Sequence, residues 1–233
     1  MEFQASLPDA SLSGTNPPAM PWWTILAHRQ PDMTRLSALP DGMAGPLKGD
    51  IAPTAVIDER YGPVILGENT RVCHGAVLQG PLITGKNCLI GNHAFIRGRT
   101  VLGEGVRIGF CTEVKGAVIG DHTTLGPQCF IGDSLIAARV YLGAMVRTSN
   151  HRLDGKNVRA FYNGVLTDTG REKLGCFIGE GASLGVQVVI LPGREVAAGT
   201  RLGPGIIVER NLPAGQYSLH QEMRDTPLNG EHR

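Results

Sequence analysis

The sequence predicts an all-β chain of short strands joined by tight corners, and three observations carry that prediction. Glycine supplies 32 of 233 residues, while aromatic residues make up only 5% and charged residues 18%. Glycine at about twice its usual share disfavours a helical bundle, a coiled coil or a disordered chain. Beyond Asp50 an aliphatic residue recurs every sixth position at Leu66, Val72, Leu78, Ile90, Ile96, Leu102, Ile108 and Val114, with Thr84 as the polar exception. After one five-residue step the register resumes at Ile119, Leu125 and Ile131; a second leads to Ile136 and Leu142, and the period returns from Ile178 to Val208. Finally, glycine follows the aliphatic residue again and again, as at 67, 91, 103, 109, 120, 126, 132, 143, 179, 185 and 203.

A period of six is not a multiple of 3.6, so a helix would scatter these aliphatics around its circumference. In a strand an even period returns each of them to one face, and a glycine directly afterwards supplies the bend that ends the strand. The repeats span residues 49–210. Residues 1–48 are expected to form an irregular arm, because Pro17, Pro18, Pro21, Pro31, Pro40 and Pro46 remove donors and restrict their neighbours. Only Trp22 to Leu36 leaves room for a short helix. The period breaks over 144–173, where turn formers, basic residues and aromatics mix, and this segment is expected to project as an excursion loop able to carry function. Residues 211–233 read as a polar, loosely packed tail.

A formal net charge of +1 gives no field for a polyanion, so neither nucleic acid nor an anionic membrane surface is an expected partner. No apolar run approaches the ~20 residues that span a bilayer, and the first residues lack the basic start and apolar core of a signal peptide. The chain is therefore expected in the cytoplasm. Its 5 cysteines have no CxxC spacing and fit reduced thiols. Cys88, Cys129 and Cys176 fall two residues before aliphatic positions, where other repeats place small inward fillers.

Hexapeptide periodicity of this kind resembles the hexapeptide-repeat proteins, and the resemblance implies a left-handed parallel β-helix with three hexapeptides per coil. Stacked coils contact only their neighbours, as in other solenoids. The left hand is a property of the family; the general rule for parallel crossovers gives the opposite one. Segments 62–109, 110–136, 149–160 and 168–193 are similar to the β-helix domain of the bifunctional sugar-1-phosphate nucleotidyltransferase/N-acetyltransferases, in particular the archaeal-type branch. PWWTIL at 21–26 resembles the start of that group's linker helix. The 48 residues before the repeats are too few for the group's nucleotidyltransferase half, so uridylyl or thymidylyl transfer is not expected.

What the resemblance implies for this chain is a homotrimer with sites in the clefts between subunits, transferring an acetyl group from acetyl-coenzyme A to an amino-sugar phosphate or nucleotide sugar. Arg97 in FIRG and Lys115 in TEVKG fall on the family's sugar-phosphate contacts. Asn150 in SNHRLDGK falls on the loop asparagine, and Lys156 with Arg159 on a pair of loop lysines, one exchanged for arginine. Gly185 and Gly203 mark the later coils along which the family's coenzyme lies. At GPQCFIGDS the family's basic histidine is replaced by Pro127 and its tyrosine by Phe130. Such a base is typically worth about 10²–10⁴ in rate. His151, next to Asn150, is the expected substitute, since an unperturbed imidazole titrates near about 6.5.

Other assignments compete with these. Arg97 and Lys115 read equally as solvated charges, Asn150 as a turn former, and Lys156 and Arg159 as loop surface charge. The loop aromatics Phe161 and Tyr162 are expected to pack on their own helix, with covering a coenzyme or a neighbouring subunit as the alternatives. By register His74 and His93 share a face on adjacent coils, whereas His93 and His122 do not, so no metal site is expected. Against the acyltransferase stands a binding or regulatory protein that kept a sugar-phosphate pocket after losing the base at 127, and a purely structural trimer.

Overall fold

The computed structural model describes residues 20–28 and 49–222; the rest of the arm and the end of the tail lie outside the described residues. The repeats coil into a left-handed parallel β-helix whose walls are parallel sheets of 9, 8 and 7 strands. The first face runs from Gly49–Ile51 through Thr70–Val72 and Leu89–Ile90 to Gln216–Tyr217. The second includes Phe95–Arg97, Glu113–Lys115, Phe130–Gly132 and Arg147–Thr148, and the third Thr100–Leu102, Val118–Ile119, Leu135–Ile136 and Phe177–Ile178.

Every position of the aliphatic period is buried, most of them completely, in one continuous core column. Thr84 keeps its place in that column because its hydroxyl is satisfied: Oγ1 accepts the Gly67 N–H at 3.1 Å and lies 3.4 Å from the hydroxyl of Thr70. Cys88, Cys129 and Cys176 point inward and are buried, and burial pushes all three thiols up, that of Cys176 to about 12.

Both five-residue steps fall at one corner, between the second and third faces. Val101 on the third face follows Arg97 by four residues, whereas its register partner Val118 follows Lys115 by only three, and the Gly116 N–H bonds back to the Gly98 carbonyl at 2.9 Å. The next coil repeats this at Gly132 and Asp133, and the excursion leaves from the same corner one coil later. It does not begin where the aliphatic period breaks. Arg147–Thr148 still pairs with Phe130–Ile131 on one side and Val189–Ile190 on the other. The inward residue there is Thr148, a buried polar side chain accepting the Gly132 N–H at 2.8 Å, so a reading based on aliphatics loses the strand.

Within the excursion, Arg159–Tyr162 and Val165–Asp168 form an antiparallel hairpin. The root of the loop packs back instead of projecting, because the third face is apolar on its outside as well. Val118 and Phe177 form a second cluster with Val158, Ala160 and Leu174 of the excursion and with Trp22, Trp23 and Leu26 of α1 (Trp22–His28). Trp22 stacks on Phe177 with centroids 6.3 Å apart, and Trp23 meets Tyr162 edge-on at the same distance. The solenoid also takes in the start of the tail, since Leu212 bridges Val196 and Gln216–Tyr217 pairs with Arg201–Leu202.

Candidate active site

Arg97 and Lys115 are register partners on adjacent coils of the second face, at the end nearest the shortened corner. Each is already paired. Arg97 Nε and Nη2 both lie 2.8 Å from Glu113 Oε1, with the guanidinium 5.5 Å from the centre of the Phe95 ring. Lys115 Nζ donates to Asp133 Oδ2 at 2.9 Å, and both side chains are about four-fifths covered. The two cations are therefore balanced by two carboxylates, and an anion arriving here has to share Arg97 and Lys115 with them.

The same Asp133 oxygen accepts Asn150 Nδ2 at 2.6 Å, which brings Asn150 and Lys115 onto one carboxylate. The two ends of the excursion meet at this point as well. Leu174 N–H bonds to the Asn150 carbonyl at 2.9 Å and Gly175 N–H to the Asp133 carbonyl at 2.8 Å. His151 sits on the exposed side, bridged to Lys173. Its Nδ1 lies 3.3 Å from the carbonyl oxygen of Glu172, which can only accept. With the hydrogen on Nδ1 this contact is a hydrogen bond, and in the neutral ring that tautomer leaves the lone pair a base requires on Nε2.

Lys156 and Arg159 come together further out, where Arg152, Asn157 and Asp168 complete an open pocket of about 380 Å³. Arg152 is tied to Asp154, whose carboxyl it holds well below the usual carboxylate range. Arg159 donates to the Leu166 carbonyl at 3.0 Å. Among the described residues no hydrogen bond or ion pair joins this pocket to Arg97 or Lys115.

Gly185 and Gly203 occupy successive coils of a different corner, between the first and second faces. A Cβ on Gly185 would come within 2.8 Å of Pro204 N, so coil stacking alone demands glycine there. Their N–H groups bond to the Leu202 and Tyr217 carbonyls at 2.8 Å each. Pro127 lies exposed on this same corner, with Phe130 half-buried on the second face. His74 and His93 stack on successive coils, the His93 N–H bonding to the His74 carbonyl at 3.0 Å. His122 stands over Gly105 at the corner between the third and first faces. Among the described residues no group of three or more His, Cys, Asp or Glu side chains is placed to hold a metal ion, and no helix is long and apolar enough to cross a membrane.

Sequence reasoning missed Asp133, Glu113 and the docking of α1. Asp133 had a signal: it lies within the second shortened step, at a corner where φ is +47°, a conformation that aspartate tolerates better than most residues. Glu113 had only its alternation with Lys115 on one strand.

No family model matches the chain. Over 235 residues it is 52% identical to the putative uncharacterized acetyltransferase YaiX of Escherichia coli strain K12, spanning 96% of this chain and 98% of that protein. The chain belongs to the YaiX acetyltransferase family. The YaiX of Escherichia coli strain 536 is 51% identical over 231 residues. Outside the YaiX proteins, a bifunctional sugar-1-phosphate nucleotidylyltransferase/acetyltransferase of Sulfurisphaera tokodaii is 38% identical over 105 residues, 45% of this chain and 26% of that protein. Among solved structures, the UDP-N-acetylglucosamine acyltransferase of Campylobacter jejuni superposes with a TM-score of 0.48 at 17% identity, covering 70% of this chain and 69% of that one.

Proposed function

We propose that this YaiX-family chain transfers an acetyl group from acetyl-coenzyme A to the amine of an amino-sugar phosphate or nucleotide sugar, acting as a homotrimer. The observation that carries the reading is the convergence of Lys115, Asn150 and the excursion root on Asp133, next to His151. Membership of an acetyltransferase family supports acyl transfer in general, and the arrangement of side chains supports the narrower reaction.

In this mechanism the acceptor's phosphate shares Arg97 and Lys115 with their carboxylates and is gripped from outside by Lys156 and Arg159. Asn150 orients the amine. As its nitrogen attacks the acetyl carbonyl, the N–H proton passes to His151 Nε2; the C–S bond then breaks, and the thiolate of coenzyme A takes a proton back. The acyl donor lies along the later coils past Gly185 and Gly203. Their N–H groups are spent on the next coil, so they contribute clear surface and no hydrogen bonds.

The test is thiol release from acetyl-coenzyme A with a panel of hexosamine 1-phosphates and nucleotide amino sugars, alongside calorimetric binding. Acceptor-dependent release is expected in the wild type. Replacing Lys156 and Arg159 together by alanine is expected to raise KM for the acceptor at least about tenfold, the ~1.5–3 kcal/mol of a hydrogen bond to a charged group. Unchanged affinity would remove the loop pocket from the site. A second reading, a sugar-phosphate-binding protein without turnover, is favoured by Pro127 at the position of the lost base. Binding of an acceptor with no thiol release would select it.

A further inference from the structure

Asp133 has no assigned role, yet it links Lys115, Asn150 and the returning end of the excursion. Its N–H bonds to the Lys115 carbonyl at 2.8 Å and its carbonyl receives the Gly175 N–H at 2.8 Å, so its backbone is fixed to the preceding coil and to the returning end of the excursion. Its side chain takes Lys115 Nζ at 2.9 Å and Asn150 Nδ2 at 2.6 Å on the same oxygen. A carboxylate can only accept, so the Asn150 contact settles which way round the amide stands: NH₂ toward Asp133, Oδ1 away from it. The packing is close as well, since a Cβ on Gly132 would lie 2.8 Å from Asn150 Nδ2 and one on Gly116 2.8 Å from Asp133 Oδ1. Larger residues at either glycine would push the carboxylate or the amide out of place.

We infer that Asp133 is a positioning residue that turns the Asn150 carbonyl oxygen toward the acceptor, so that Asn150 accepts a hydrogen bond from the nucleophile's N–H and does not donate to the acetyl carbonyl. Because the same oxygen holds Lys115, the cation that meets the acceptor's phosphate and the group that aims its amine are set by one carboxylate. This inference rests on the acetyl-transfer reading above. It goes further in naming what orients Asn150 and in giving that residue the role of acceptor.

Three variants and two readouts test it. Asp133→Asn keeps the shape and removes the charge; it is expected to lower kcat on the order of 10- to 100-fold, the scale of a small misplacement at a reacting centre. KM for acetyl-coenzyme A should stay within about twofold, and Asp133→Glu should recover part of the loss. In a double-mutant cycle the losses of Asn150→Ala and Asp133→Asn should combine to less than their sum, because both break the Asn150 link, and what Asp133→Asn still costs beside Asn150→Ala is its hold on Lys115. Additive losses would overturn the inference, as would full kcat in Asp133→Asn. The second readout needs no turnover: the side-chain NH₂ resonances of Asn150, identified by their disappearance in Asn150→Ala, should shift in Asp133→Asn. If the wild type acetylates no acceptor, the reaction falls and this signal decides the Asp133–Asn150 link alone; an unmoved signal overturns that link.

Discussion

Replacing Trp23 by alanine separates two jobs that α1 could do, covering the third face and bracing the excursion. Trp23 is buried, lies edge-on to Trp22 at 5.8 Å and to Tyr162 of the hairpin at 6.3 Å. Truncating a buried tryptophan to alanine costs about 3–5 kcal/mol where the surroundings are rigid, and a seven-residue helix held by one cluster has little else to retain it. The hairpin loses a single aromatic pair, worth about 1 kcal/mol beyond area, which raises its local opening about fivefold. Hydrogen exchange read peptide by peptide should show this. Amides of the Arg159–Tyr162 and Val165–Asp168 strands should exchange about fivefold faster in Trp23→Ala, while those of the core strands at Ile96 and Ile131 keep their protection. If the hairpin holds its protection while α1 itself exchanges freely, the helix is only a cover, and the bracing role is wrong.

Other outcomes follow from the same geometry. Burial pushes the Glu195 carboxyl above its usual range, and the Trp22 indole N–H at 3.2 Å pulls it partly back. The folded chain thus holds the Glu195 proton more tightly than the unfolded one, and stability falls as pH rises from the ordinary carboxylate range through the raised value. Glu195→Gln keeps an acceptor for Trp22 and should raise Tm at neutral pH, with the gain shrinking toward pH about 4; a gap independent of pH would contradict this. Restoring histidine at 127 together with tyrosine at 130 should raise kcat and leave Tm nearly unchanged, since Pro127 is an exposed corner residue. Equal rates before and after would leave proton transfer with His151, and His151→Ala should then abolish turnover.

How much of this was legible in the sequence depends on how local each cause is. The period of six and its glycines specify the coil, because each hexapeptide must return an aliphatic side chain to the interior and bend, whatever its neighbours do. Even the two shortened steps were visible, and they mark the corner where Lys115, Asp133 and Asn150 meet. Thr148 was illegible for a local reason: a buried threonine bonded to Gly132 fills the core as an aliphatic residue would, but does not look like one.

The tertiary structure alone decided what those side chains meet. Arg97 and Lys115 read as free cations along the chain; the stacking of coils 16 to 18 residues apart gives each a carboxylate. Trp22 and Glu195 are 173 residues apart, and no periodicity connects them. The apolar outside of the third face is written in Val118 and Phe177, but what covers it depended on where the excursion folds back and where α1 lands. Sequence fixes what repeats, because repetition is enforced between nearest neighbours; contacts between the repeat and its interruptions depend on three-dimensional position, which only the folded chain supplies.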